Sequence, residues 1–105
     1  MTTKRTVSDA ARFLEELAGK LTLAGLLIAI RQSEEMSQVE FAKLLKVSRQ
    51  YICDVEHGRR FVSPKAAAQF AKKLGYSPQQ FVRLCLQDAL NRDGLKLIID
   101  VRDAA

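Results

Sequence analysis

Residues 37–58, SQVEFAKLLKVSRQYICDVEHG, constrain the fold more tightly than any other stretch. Ser37 and Glu40 have the spacing of a reciprocal capping box, each side chain within reach of the other's main-chain amide. Behind them Phe41, Ala42 and Leu45 share one helical face, while Gln38, Lys43 and Lys46 turn outward. Ser48 is a second N-cap, worth about 1 kcal/mol over alanine. Ile52 and Val55, at i and i+3, give the second helix a buried stripe, and Gly58 suits the left-handed residue that ends it. The pattern predicts two short helices joined by a tight turn. Arg49, Gln50, Tyr51 and Asp54 lie on the exposed side of the second, with His57 at its end. The start of that helix then points out of the body, a geometry fitted to the DNA major groove.

These residues resemble the helix-turn-helix of Cro and lambda-repressor type (Xre family) transcriptional regulators. The likeness covers roughly residues 23–86, and its specific part lies between Arg31 and Gly58. It implies a mainly α, five- to six-helix lambda-repressor-like DNA-binding domain. It also implies that Gln38 grips a phosphate, that Arg49, Gln50 and, one turn later, Asp54 read bases, and that Arg31 pairs with Glu56. Two departures stand out. Tyr51 is bulkier than the small residue usual there, and Asp54 is an acid where an amide or cation is frequent. Both leave the operator sequence open rather than the fold.

Composition sets the outer bounds. A chain of 105 residues is one domain's worth, and 48% hydrophobic content suffices for a core. No apolar run approaches the ~20 residues of a membrane span. Lys4 and Arg5 are not followed by an apolar region and cleavage site, so no secretory signal is expected. Cys53 and Cys85 lack metal-ligand spacing and read as reduced thiols of a cytoplasmic protein. The net charge of +5 hints at a polyanionic partner, and its distribution says more. Lys43, Lys46, Arg49, Arg59 and Arg60 outweigh Asp54 and Glu56 around the two-helix motif. Acids gather elsewhere, at Glu15 with Glu16, Glu34 with Glu35, and Asp100 with Asp103.

The remaining helices are marked by their punctuation. Ser8-Asp9 opens a helix over 8–20 bearing Ala10, Phe13, Leu14 and Leu17, closed by Gly19. Another runs from about Thr22 to Ser33. Ser63-Pro64 and Ser77-Pro78 place serine at N-cap and proline at N1. Their stripes are Ala67, Phe70, Ala71 and Leu74, then Phe81, Leu84, Cys85 and Leu86. The helix-turn-helix domain is thus expected over 22–92 of a single domain.

The tail changes period. Leu95, Leu97, Ile99 and Val101 alternate strictly, predicting a strand over 95–102. A lone strand leaves its ladder groups unpaired in water, and the simplest partner is its own copy across a two-fold axis. Centred on Ile98, antiparallel pairing sets Lys96 opposite the other chain's Asp100. Centred on Ile99, it would set Lys96 opposite Arg102, two like charges. The expected register is therefore centred on Ile98, in a homodimer.

Such a dimer would set two projecting helices about 34 Å apart, on successive major grooves of a palindrome. Arg49 suits a bidentate contact to guanine and Gln50 one to adenine; a phosphate contact is the competing reading for Arg49. Asp54 suits cytosine N4 or the orientation of a neighbour. Tyr51 is grouped with these base-reading residues, and its ring could stack on sugar, touch a phosphate or cover its helix. Gln38, Lys43, Lys46, Ser48, Arg59 and Arg60 are candidate phosphate contacts, which position without reading sequence. Phe61 fits either core or interface. No nucleophile turn, glycine-rich phosphate loop or metal spacing is present, so neither enzymatic activity nor a cofactor is expected. Two functions follow from the resemblance: a homodimeric repressor or autoregulator on double-stranded DNA, and an antitoxin of HigA type that also binds a partner toxin.

Overall fold

Five helix starts are each fixed by a hydroxyl. Thr22, Ser37, Ser48, Ser63 and Ser77 sit in extended conformation, and each side chain accepts from the amide three residues on. The computed structural model describes residues 21–104, and the helices so opened are α1 (Leu23–Ser33), α2 (Gln38–Leu45), α3 (Arg49–Glu56), α4 (Pro64–Leu74) and α5 (Pro78–Arg92). The mainly helical architecture expected from the sequence is present. At Ser37 both halves of the capping box form, at 3.1 Å for the Glu40 amide and 3.0 Å for the Ser37 amide. The helix expected over 8–20 lies outside the described residues.

The stripes read from the sequence converge on one core. Leu23, Leu27 and Ile30 of α1 meet Phe41, Ala42 and Leu45 of α2, Ile52 and Val55 of α3, and Phe70 and Ala71 of α4. Phe81, Leu84 and Cys85 of α5 complete it, and Phe41 and Phe81 are each only 1% exposed. α5 packs along α4 and also against α1, while α2 rests on α3 and α4. A second kind of cap links the ends of this bundle. Asp88 of α5 accepts from the Leu23 N–H at 3.0 Å, satisfying a donor at the head of α1. Burial pushes the Asp88 carboxyl up, against the pull of that amide and of Arg92.

Two departures from the sequence reading concern α5 and the tail beyond it. Gln87, 4% exposed, is buried among the apolar residues, where periodicity alone marked only Phe81, Leu84, Cys85 and Leu86. The strand expected over 95–102 does not form within one chain, and the described residues contain no strand. The reason is the one that made a partner necessary: a single strand has no ladder to join. No helix among the described residues is long and apolar enough to cross a membrane.

Candidate nucleic-acid interface

The α2–turn–α3 unit begins with an unusual residue for its place. Lys46 ends α2 in the left-handed conformation, φ 59°, where glycine is the common choice. Its N–H and that of Val47 bond back to the carbonyls of Lys43 and Ala42, so the chain reverses tightly and Ser48 can cap α3. Ile52 and Val55 anchor α3 in the core at 2% exposure each. Arg49 and Gln50 on its first turn are exposed, and no acidic residue lies in that turn. The positive end of the helix dipole therefore faces solvent unopposed, which favours an anion there.

The exposed face of α3 carries a small polar unit. Gln50 Nε2 donates to Asp54 Oδ1 at 2.9 Å, and Arg59 Nε donates to the same oxygen at 3.0 Å. Gly58 makes this possible: with φ +74° it turns the chain so that the Arg59 and Arg60 amides both bond the Asp54 carbonyl. The hydrogen bonds from Gln50 and Arg59, then the Arg59 and Arg60 charges, hold the Asp54 carboxyl below the usual carboxylate range. Arg59 Nη2 also reaches Cys53 Sγ at 3.5 Å, and His57 Nδ1 lies 2.7 Å from the Cys53 carbonyl. Arg49 makes no hydrogen bond or ion pair among the described residues.

Tyr51 is half-buried at the edge of this face. Its ring meets Phe70 edge-on at 6.0 Å, and the Arg60 guanidinium lies over it at 4.6 Å. Burial raises the phenol's pKa, opposed by Arg60. Phe61 is exposed and lies beneath Arg92, 3.6 Å from ring centroid to guanidinium carbon. Lys43 and Lys46 stand exposed on α2 and its turn. The Ser48 hydroxyl caps α3 by accepting from the Tyr51 amide at 3.0 Å.

A network behind the interface ties three helices together. Arg31 of α1 grips Glu56 of α3 with two bonds, 2.8 Å from Nε and 3.0 Å from Nη2, and donates a third to the Met36 carbonyl. Gln38 of α2 donates to Glu56 Oε1 at 3.1 Å. The structure thus joins the expected ion pair to the expected phosphate-gripping glutamine. Sequence spacing does not reveal that second link, nor the Asp54–Arg59 contact, which spans the end of the helix rather than one of its faces.

The network has a pH signature. Burial would raise the Glu56 carboxyl, but the hydrogen bonds from Arg31 and Gln38 and the Arg31 charge outweigh it and leave the pKa lowered. A carboxyl lowered on folding stabilises fully above its unfolded pKa, and that stability is lost as pH falls through the folded value. The thermal midpoint is therefore expected to fall as pH drops below the ordinary glutamate pKa of 4.5, and Glu56→Gln should flatten that part of the curve. A variant with an unchanged acid limb would show that Glu56 does not carry it. The raised Asp88 carboxyl acts with opposite sign over the carboxylate range, so the comparison is made against the parent curve.

An anchored helix whose cationic, solvent-facing start is set by a tight turn and braced from behind defines the helix-turn-helix class of DNA-binding regulators. The chain belongs to the Xre/Cro-like helix-turn-helix family HTH_3, whose profile matches residues 27–81. It is also similar to the crystal structure of a hypothetical transcription factor, NHTF, from Neisseria. That likeness has a TM-score of 0.51 and 27% identity, covering 68% of this chain and 79% of that one. No curated protein gives a significant sequence match.

Proposed function

We propose that the chain is a sequence-specific repressor or autoregulator that binds a palindromic operator as a homodimer. The observation that carries this reading is the exposed first turn of α3, with Arg49 unengaged among the described residues and Gln50 tied into the Asp54–Arg59 unit. Arg49 is free to make the bidentate contact to guanine. Gln50 keeps its carbonyl oxygen, and Asp54 keeps Oδ2 as an acceptor for a cytosine amine. The unit is held before DNA arrives, which lowers the ordering entropy of binding. Gln38, Lys43, Lys46, Ser48, Arg59 and Arg60 grip phosphates around it, and Tyr51 supports Arg60 from below. The tail strand pairs two copies, and occupation of the operator excludes polymerase without chemistry on the DNA.

Selection of bound sequences by the purified protein at near-physiological salt tests the proposal, since salt sets the non-specific background. A palindrome is expected, with half-sites one helical turn apart or a multiple of it. Random recovered sequences would reject it. On the selected site, Arg49→Ala should relax preference at one base pair by about 1–3 kcal/mol. An equal loss across all sequences would instead assign Arg49 to phosphate.

A further inference from the structure

Among the described residues the tail is held from one side only. Gln87 Nε2 donates to the Leu97 carbonyl at 2.7 Å and its Oε1 accepts from the Ile99 N–H at 3.0 Å. The same Nε2 is steadied by Asn91 Oδ1 at 3.0 Å. Gln79, near the start of α5, donates to the Val101 carbonyl at 2.6 Å. The two glutamines are eight positions apart on α5, about 12 Å of helix rise. The tail covers that span in the four residue steps from Leu97 to Val101, which fits nearly extended chain at about 3.3 Å per residue.

In extended chain the main-chain groups of alternate residues point to opposite edges. Leu97, Ile99 and Val101 turn theirs toward α5, where side-chain amides stand in for a neighbouring strand. Lys96, Ile98 and Asp100 must then turn theirs away. Among the described residues none of those three has a main-chain partner. Ile98 is 70% exposed, with Leu97 at 57% and Leu95 at 47% beside it. This is an open strand edge flanked by apolar surface, a feature that calls for a covering strand.

We infer that Gln87 and Gln79 occupy one edge of the tail so that the other, carrying Lys96, Ile98 and Asp100, pairs antiparallel with the same edge of a second copy, centred on Ile98. This rests on the homodimer proposed above and adds which edge pairs and what selects it. Centres at Leu97 or Ile99 can also use the open edge, through a non-hydrogen-bonded central pair, but neither sets Lys96 against an acid, and Ile99 sets it against Arg102. Of the other centres on the open edge, Lys96 would oppose lysine to lysine and Asp100 aspartate to aspartate. Only Ile98 sets each Lys96 against an Asp100. In that register Lys96, Ile98 and Asp100 each exchange both main-chain groups with the partner. The glutamines thus fix which edge pairs, and charge selects the centre.

Amide exchange and sedimentation of the full chain at several concentrations test this. The Ile99 amide should be protected at every concentration, whereas the Ile98 and Asp100 amides should gain protection as dimer forms. Gln87→Ala should remove the Ile99 protection and weaken the dimer roughly ten-fold or more. Ile98→Pro leaves the groups used by Gln87 in place but removes the central donor, so it should abolish the dimer while Ile98→Thr keeps it. A dimer in which Ile98 exchanges freely, or which tolerates Ile98→Pro, overturns the edge assignment and leaves the homodimer standing. A chain that is monomeric at all concentrations overturns both. Protection of Ile98 only on addition of a different protein, such as a toxin, assigns the edge to that partner and overturns self-pairing.

Discussion

Arg31→Met is expected to lower the unfolding free energy by about 3–5 kcal/mol, because it strands the Glu56 carboxylate without its cation. The pair joins α1 to α3 through two bonds of 2.8 and 3.0 Å, and the side chains are 16% and 8% exposed. Methionine preserves the alkyl stem, so the loss reports the charge rather than a cavity. Gln38 alone remains on the carboxylate, with one bond at 3.1 Å. For a small domain stable by about 5–15 kcal/mol, this is a large share of the total. Urea denaturation measures it, and a change below about 1 kcal/mol would place the pair with solvated surface contacts. The double variant Arg31→Met, Glu56→Leu should recover much of the stability, since removing both charges also removes their desolvation. It should not recover full DNA affinity, because Gln38 loses its anchor and α3 its brace.

That network marks the boundary of what the sequence discloses. Among the described residues the capping serines and Pro64 and Pro78 at N1 are local signals that reappear as helix boundaries, and the apolar stripes reappear in the core except for Leu86, which lies outside it. The Arg31–Glu56 pair is legible only through resemblance, because residues 25 apart in sequence carry no local signature of contact. The Asp54–Arg59 bond is hidden for another reason. It crosses the left-handed Gly58, so helical spacing does not describe it. Sequence alone makes Asp54 a base contact or the orienter of a neighbour, and the neighbours it holds, through Oδ1, are Gln50 and Arg59. Gln87 escapes notice because a polar residue inside an apolar stripe looks like its exposed margin. Its burial follows from the tail it holds, and alternation in that tail is the signal that something must bind there. The tail's period is legible, while the strand itself needs a partner that one chain does not contain.

Ending the chain at Leu95 is expected to weaken binding to a full operator by about 10²–10⁴-fold while leaving half-site binding nearly unchanged. The cut keeps the Leu95 N–H, which closes α5 on the Leu90 carbonyl at 3.0 Å, and removes the paired edge at Lys96, Ile98 and Asp100. Gln87 and Gln79 then hydrogen-bond water in place of the tail, and the core stripe of Phe81, Leu84 and Cys85 is untouched. One α3 per chain supplies few base contacts. Its affinity for a palindrome therefore depends on a second α3 delivered at the millimolar effective concentration that a linked partner provides. Salt dependence separates this from simple misfolding. A monomer neutralises about half as many phosphates, so the slope of log affinity against log salt should fall to about half. Titration of full and half operators at fixed and varied salt reads both effects. Equal affinity of the truncated and complete chains for the full operator would mean that the tail does not join the two recognition helices. Dimerisation would then have to come from elsewhere, with exposed Phe61 beneath Arg92 the next surface to alter.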